Sequence, residues 1–258
     1  MSRLLVKDVR RRRTGDGPAI VLLHCLGVDH RLWDRTVSAL SGDYCMVRYD
    51  FSGHHEASLP DFAYTIEDLS DQLHDVLDAE GIDKATVVGI SLGGLVAQHF
   101  AATHPRRTDR LVLCDTTPRY SDGARKGWAE RAAVARTKGA TALLDTLLLM
   151  WFTPAFVAQN PPAVTYVREC FAKVSGEGYA KACEALAAAD LRPLLSQIKA
   201  RTLVVCGTED VPDFLEAARL LEREISGARL VWLSPARHAS PLEQPEQFVE
   251  QLKAFLRG

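Results

Sequence analysis

Short apolar runs recur along the chain and are separated by longer segments with a different hydrophobic spacing. Each run carries β-branched or aliphatic side chains at both odd and even positions, so both of its faces are apolar. This pattern is typical of strands buried on both faces of a parallel sheet. We therefore predict core strands at Ala19–Cys25, Tyr44–Tyr49, Ala85–Ile90, Arg110–Asp115, Thr202–Cys206 and Arg229–Leu233.

Most of the intervening segments have apolar residues every three to four positions, which predicts amphipathic helices. These segments are Asp29–Leu40, Thr65–Glu80, Leu92–His104 and Gln244–Leu256. Thr65 with Asp68 three residues later predicts a helix cap, and Gly81 predicts the end of that helix. Residues Leu4–Arg12 precede a glycine-rich turn and predict a further strand or hairpin. Strands that alternate with helices predict an α/β fold with a doubly wound, mostly parallel sheet.

The alternation stops between Thr116 and Ala200. Helical segments are predicted there at Arg125–Lys138, Thr141–Phe152, Ala163–Lys173 and Tyr179–Ala189. We predict a helical cap (119–194) inserted in an α/β core made of 1–118 and 195–258. Such a cap would cover the carboxyl ends of the strands, where open α/β sheets bind ligands. The alternative is a string of surface helices, but long segments of this kind are usually functional.

Composition excludes several classes of protein. A net charge of −2 with 47% hydrophobic and 25% charged residues gives no field that would recruit nucleic acid or an anionic membrane. The apolar runs are too short for a membrane span, and the first residues lack the apolar core of a signal peptide. Six cysteines without CxxC spacing predict neither a zinc site nor a redox pair. Reduced thiols in a chain without an export signal favour the cytoplasm.

The segment Gly89–Gly94 joins a predicted strand directly to a predicted helix and has the pattern GxSxG. A strand that turns at once into a helix forces the turn residue into a strained backbone, and small neighbours are needed to avoid clashes. The turn would expose the hydroxyl of Ser91, with the helix N-terminus favouring negative charge beside it. A helix-capping serine is the alternative, but the strand–turn–helix context favours a nucleophile.

A serine nucleophile needs a neutral imidazole to accept its proton. Among eight histidines, His238 follows the last predicted core strand and comes last in the order Ser, Asp, His. Asp210 follows the preceding core strand and is the predicted acid, which fixes the imidazole and stabilises its cation. Other carboxylates remain open as alternatives, namely Glu209, Asp213 and Asp115, the last of which ends another core strand.

The segment His24–Gly27 ends the first predicted core strand and turns sharply. Backbone N–H groups at such a turn can bind the oxyanion that forms during acyl transfer. We predict that the N–H of Leu26 and the N–H of Leu92 form this oxyanion hole. An ordinary turn at the end of a strand is the alternative.

With these residues in place, the chain resembles the α/β-hydrolase superfamily over nearly its whole length. Within the superfamily it is most similar to the 3-oxoadipate enol-lactonases. The narrower resemblance depends on His24–Gly27 with Trp33, Gly89–Gly94 with Arg110–Leu113, Trp151–Pro154, Ala188–Leu191 and His238–Pro245. It implies a carboxylic ester hydrolase with a Ser-His-Asp triad and an acyl-enzyme. It also implies a small-molecule lactone substrate from aromatic degradation and no metal or organic cofactor.

The chain departs from the family pattern at four places. Cys25 replaces a glycine and is expected to narrow the pocket mouth, and Ser52–His55 replaces Arg-Gly-His-Gly. Pro212 shortens the loop after Asp210. Arg237 replaces a glycine before His238, and its charge is expected to lower the pKa of that imidazole. These departures leave the triad in place and bear on the substrate.

An anionic lactone would need a cationic contact. Candidates near Trp128 are Arg125, Lys126, Arg131, Arg136 and Lys138, most of which are expected to be a solvated helix face. We predict Trp128, Arg131 and Trp151 as substrate-binding residues. Alternatives are a general carboxylesterase or cofactor-free perhydrolase, a hydrolase of carbon–carbon bonds in dienones, and a non-catalytic ligand-binding receptor on the same fold. The sequence leaves the oligomeric state open.

Overall fold

The computed structural model describes residue 4, residues 9–55 and residues 57–258. A seven-stranded sheet forms its centre, in the order β1-β3-β2-β4-β5-β6-β7. The first strand is antiparallel to its neighbour and all other pairs are parallel. The strands are β1 (Arg11–Thr14), β2 (Ala19–Leu23), β3 (Cys45–Tyr49), β4 (Ala85–Ile90), β5 (Thr108–Cys114), β6 (Arg201–Gly207) and β7 (Arg229–Leu233).

All six predicted core strands are present, but the prediction that each is buried on both faces is wrong for β7. Only Leu233 of this strand is buried, and Trp232 is 37% exposed. The reason is that β7 is an edge strand with one neighbour, β6. The strand predicted at Leu4–Arg12 is observed as β1, which starts at Arg11, and residues 5–8 of that prediction lie outside the described residues.

Helices occupy the predicted gaps between strands, and a further helix, which was not predicted, connects β6 to β7. Their bounds are α1 (Asp34–Leu40), α2 (Ile66–Ala79), α3 (Leu92–Thr103), α4 (Asp122–Lys138), α5 (Leu144–Trp151), α6 (Pro154–Ala158), α7 (Pro162–Lys173), α8 (Gly176–Ala188), α9 (Pro212–Glu224), α10 (Ser240–Glu243) and α11 (Pro245–Arg257). The predicted cap of α2 is confirmed, because Thr65 and Asp68 each accept a backbone N–H from the other. Thr153 caps the start of α6, and Pro154 is tolerated there because it lies in the first turn of the helix.

Helices α4 to α8 occupy the chain between β5 and β6, where no strand was predicted. Helix α4 packs against α8, and residues of α4, α5 and α8 face the end of the sheet that carries Ser91. All six cysteines are buried and none forms a disulfide, and buried free cysteines generally behave as small apolar side chains. Within the described ranges, no helix combines the length and the apolar character that crossing a membrane requires.

Candidate active site

Ser91 lies in the sharp turn between β4 and α3. Its backbone has φ 51° and ψ −113°, a left-handed conformation that costs about 1–3 kcal/mol for a residue other than glycine. The two glycines of the motif make the turn possible. A Cβ at Gly89 would lie 2.1 Å from the Gly93 carbonyl oxygen, and one at Gly93 would lie 2.4 Å from the Leu23 carbonyl oxygen. The strand–turn–helix expected from the sequence is therefore confirmed.

His238 and Asp210 meet Ser91 at the carboxyl end of the sheet. The Ser91 hydroxyl lies 3.0 Å from His238 Nε2, and His238 Nδ1 lies 3.0 Å from Asp210 Oδ2. All three side chains are buried. Asp210 also accepts the Val211 N–H through its other oxygen at 2.7 Å, which fixes the carboxylate. With Nδ1–H donating to the carboxylate, Nε2 remains free to accept the serine proton.

Burial lowers the pKa of His238, but the charge and hydrogen bond of Asp210 and the charge of Asp115 outweigh it, so the pKa is raised. The expectation that Arg237 lowers this pKa is wrong. The Arg237 guanidinium is turned away and donates to the Leu149 carbonyl oxygen. The cation that acts to lower the pKa is Arg131.

Asp115, the alternative acid, has a carboxylate that is hydrogen-bonded to Gly207 and Ser240 and not to the His238 imidazole. One of its oxygens accepts the Gly207 N–H at 2.9 Å, and the other accepts the N–H and hydroxyl of Ser240 at 3.1 and 2.7 Å. Burial and the charge of Asp210 raise the pKa of Asp115 to about 8. Its carboxyl group thus joins the loop that carries Asp210 to the loop that carries His238.

The other two candidate acids are also placed elsewhere. Glu209 is exposed, and its carboxylate forms no hydrogen bond with His238 among the described residues. The Asp213 carboxylate accepts the Ser121 hydroxyl at 2.9 Å. Of the carboxylates considered from the sequence, Asp210 is the one hydrogen-bonded to His238 within the described part of the chain.

The turn after β2 contains Leu26, the first of the two residues predicted to form the oxyanion hole. Gly27 has φ 82°, and a Cβ there would lie 2.7 Å from the Phe171 ring of α7. Leu26 lines the pocket that contains Ser91. Leu92 is the first residue of α3, so its N–H has no acceptor inside the helix. Among the described residues neither N–H has a hydrogen-bond partner, which leaves both available to an oxyanion.

Ser91 and His238 open into a pocket of about 170 Å³ whose walls are mainly apolar and aromatic. The three predicted substrate-binding residues, Trp128, Arg131 and Trp151, all line it. Cys25 is buried and does not line this pocket, so the expected narrowing by Cys25 is not found. The remaining lining residues are Leu26, Tyr120, Ala124, Gly127, Leu147, Met150, Tyr179, Val211, Asp213 and Phe214.

Arg131 is the one candidate cation of α4 that faces this pocket. Its guanidinium lies 4.6 Å from the centre of the Trp128 ring and 3.5 Å from Met150 Sδ. No carboxylate of the described residues pairs with it. In contrast, Arg136 pairs with Glu177 and Glu184 on the surface.

Sequence reasoning missed three aromatic side chains of the pocket, namely Tyr179 of α8, Tyr120 and Phe214. Tyr120 follows β5 by a few residues, and Phe214 lies in the first turn of α9 with its ring 4.2 Å from the His238 ring. Tyr120 and Phe214 follow core strands at the carboxyl edge of the sheet, and that position was the available signal.

Two buried clusters among the described residues have the residue types of a metal site; one is formed by Asp115, Cys206 and Asp210 beside the hydrogen bonds given above, and the other lies at His30. Ligand atoms of Asp29, His30 and Asp50 lie within 4.8 Å of one another. The ring of His30 lies 2.8 Å from Asp50, and Arg31 donates to both oxygens of Asp29. These hydrogen bonds, like those of Asp115 and Asp210, belong to a structural network, so we assign no metal to either cluster.

The comparison with protein families matches residues 20–251 to the alpha/beta hydrolase family. The chain belongs to this family. 3-oxoadipate enol-lactonase 2 of Acinetobacter baylyi is 33% identical over 242 residues, which cover 94% of this chain and 90% of that protein. The solved enol-lactonase of Burkholderia xenovorans LB400 is 37% identical with a TM-score of 0.93, covering 97% of this chain and 96% of that one. A solved hydrolase from Pseudomonas aeruginosa PA01 is 32% identical with a TM-score of 0.91, covering 97% and 94%.

In this alpha/beta hydrolase, the segment Ser52–His55, which departs from the expected pattern Arg-Gly-His-Gly, has local contacts of its own. The hydroxyl of Ser52 accepts a hydrogen bond from Gln72 Nε2 at 2.9 Å. His55 takes a left-handed φ of 43°, and its ring lies 3.6 Å from Asp29. Because neither residue lines the pocket with Ser91, these departures do not alter its walls.

Proposed function

We propose that the protein is a serine hydrolase that cleaves a small carboxylic ester or lactone through an acyl-enzyme. The observation that carries this proposal is the chain of hydrogen bonds from Ser91 through His238 to Asp210, with 3.0 Å at each step. A buried, ordered arrangement of this kind supports catalysis over a receptor that only binds a ligand.

In the proposed mechanism, His238 Nε2 takes the proton of Ser91 as the hydroxyl oxygen attacks the ester carbonyl. The negative charge that develops on the carbonyl oxygen is stabilised by the N–H groups of Leu26 and Leu92. Asp210 holds the imidazole in position and stabilises its cation. The tetrahedral intermediate then collapses, the ester C–O bond breaks, and the leaving oxygen takes the proton from His238. Water activated by His238 next attacks the acyl-enzyme and releases the acid.

The substrate we propose is a lactone that carries a carboxylate, namely 3-oxoadipate enol-lactone or a similar lactone of aromatic degradation. Arg131 supports this choice because it faces the pocket without a carboxylate partner among the described residues. A partly desolvated cation beside apolar walls favours an anionic ligand. The two enol-lactonases named above are the relatives that point to the same substrate.

We also propose that residues 119–194 act as a cap over the core formed by residues 1–118 and 195–258. Three walls of the pocket come from this segment, through Trp128 of α4, Trp151 of α5 and Tyr179 of α8. Several hydrogen bonds join the proposed cap to the segment that carries His238, including the one from Arg237 to Leu149 described above. The Ala239 N–H donates to the Trp151 carbonyl oxygen at 2.9 Å, and Glu243 accepts from the backbone N–H groups of Thr153 and Arg237.

A general carboxylesterase is the second candidate. Apart from Arg131, the pocket walls that the proposed cap contributes are mainly apolar and include Leu147, Met150 and Trp151. The two candidates predict opposite rankings of substrates. We would measure kcat/KM of the purified protein on 3-oxoadipate enol-lactone and on 4-nitrophenyl acetate, with Ser91→Ala as the control. Faster turnover of the enol-lactone supports the lactonase, the reverse ranking supports the carboxylesterase, and full activity of Ser91→Ala would overturn both.

A further inference from the structure

The hydroxyl of Tyr120 is a buried polar group that the mechanism above does not use. The side chain is 5% exposed and lines the pocket together with Ser91 and His238. The Tyr120 hydroxyl lies near the Ser91 side chain, but no group of the described residues is close and aligned enough to form a regular hydrogen bond with it. A buried hydroxyl without a partner costs free energy, so such groups usually have a function or a ligand.

Neighbouring aromatic rings hold Tyr120 in place. The Trp128 ring meets it edge-on at 5.1 Å between centroids, and the Phe214 ring does so at 6.0 Å. Phe214 in turn packs against the His238 ring at 4.2 Å. The phenol therefore lies on the side of the pocket where the imidazole lies. Burial raises the pKa of Tyr120, so the group remains a neutral O–H donor in the range where the enzyme would work.

An ester offers two oxygens at the carbon that Ser91 attacks. The carbonyl oxygen is already assigned to the N–H groups of Leu26 and Leu92. The other is the ester oxygen, which takes the electron pair of the breaking C–O bond and a proton from His238. A hydrogen-bond donor that lies near both Ser91 and the His238 imidazole is well placed to donate to this ester oxygen.

We infer that the Tyr120 hydroxyl is a catalytic donor that binds the leaving oxygen of the ester or lactone. The inference rests on the proposed serine-hydrolase function. The phenol keeps its own proton and donates a hydrogen bond while negative charge builds on the leaving oxygen. The proton that is transferred still comes from His238, so the step remains balanced. The contact is made only as the C–O bond breaks, and it therefore acts on kcat more than on KM.

The test is Tyr120→Phe, which removes only the hydroxyl. Poor leaving groups need this donor most, so kcat/KM on ethyl acetate should fall by about 100-fold. On 4-nitrophenyl acetate, whose leaving group is already a stable anion, the loss should be no more than a few fold. Equal losses on the two esters, or no loss on either, would overturn the inference.

Thermal unfolding separates a catalytic role from a structural one. Removing an unpaired buried hydroxyl should leave the melting temperature of Tyr120→Phe unchanged or higher. The matched control is Tyr49→Phe, because the Tyr49 hydroxyl is also buried without a partner in the described structure but lies outside the pocket. It should resemble Tyr120→Phe in stability and the parent protein in kinetics. A marked loss of stability in Tyr120→Phe alone would point to a structural role and contradict the inference.

Labelling with a fluorophosphonate distinguishes failure of this inference from failure of the proposed function. The probe has a good leaving group, so it should modify Ser91 at similar rates in the parent protein and in Tyr120→Phe. If the parent is never labelled, the proposed function fails. If both proteins are labelled but the two esters lose activity equally in Tyr120→Phe, only the role of Tyr120 fails.

Discussion

Replacing Arg131 with glutamine removes the positive charge that faces the pocket and leaves a side chain of similar length. The guanidinium stacks on Trp128 and contacts Met150, and no acidic side chain of the described residues neutralises it. A substrate carboxylate would therefore be its main ionic partner. We expect Arg131→Gln to weaken the binding of carboxylated substrates and to spare neutral ones.

The size of the effect follows from the environment of the charge. At about 4 Å and an effective dielectric constant of about 20, a guanidinium attracts a carboxylate by about 4 kcal/mol. Desolvation offsets part of this attraction, and hydrogen bonds to charged groups contribute about 1.5–3 kcal/mol net. A loss of about 2–3 kcal/mol predicts a fall in kcat/KM of about 30- to 150-fold. Most of it should appear in KM, since the carboxylate lies away from the breaking bond.

The assay compares kcat and KM on 3-oxoadipate enol-lactone with those on 4-nitrophenyl acetate for the parent protein and the variant. Lys126→Gln is the matched control, because Lys126 lies on the same helix but is exposed and outside the pocket. It should behave like the parent on both substrates. A similar loss on the neutral ester in Arg131→Gln, or no loss on the lactone, would refute the assignment of Arg131 to a substrate carboxylate.

Three further predictions concern the ionisable side chains near Ser91, namely Asp210, Asp115 and His238. Asp210→Asn should leave the fold intact and lower kcat by about 10⁴-fold, because the imidazole loses its orienting acceptor; circular dichroism and steady-state kinetics test this. Asp115→Asn should lower the free energy of unfolding by about 1–3 kcal/mol in urea titrations, since an amide cannot satisfy all three donors; a rate loss equal to that of Asp210→Asn would instead make Asp115 the acid. Because the pKa of His238 is raised and catalysis needs the neutral ring, kcat/KM should fall as pH drops through a midpoint above 6.5; a midpoint below that value would contradict the ion pair with Asp210.

Much of the fold could be predicted because buried parallel strands and amphipathic helices have distinct hydrophobic periods. The order of the triad candidates was readable for a related reason. Ser91, Asp210 and His238 each follow a core strand, and the carboxyl ends of parallel strands meet at one edge of the sheet. The glycines at 89 and 93 were also informative, since the turn leaves no room for a Cβ at either position.

Features set by tertiary contacts could not be predicted in the same way. The exposure of β7 depends on its place at the edge of the sheet, which its composition does not reveal. Arg237 precedes His238 in sequence, but its guanidinium reaches a carbonyl oxygen of α5, so proximity along the chain gave the wrong electrostatic expectation. Tyr120 joins the pocket because Trp128 and Phe214 pack against its ring, and these contacts bring together residues from a loop and two helices.

Activation of the Ser91 hydroxyl by His238 can be tested by intact-protein mass spectrometry after fluorophosphonate treatment. We predict one adduct per chain, mapped to Ser91 by peptide analysis, no adduct in Ser91→Ala, and much slower labelling in His238→Ala. Folded parent protein that stays unmodified at Ser91, or that is labelled equally fast without His238, would contradict the account.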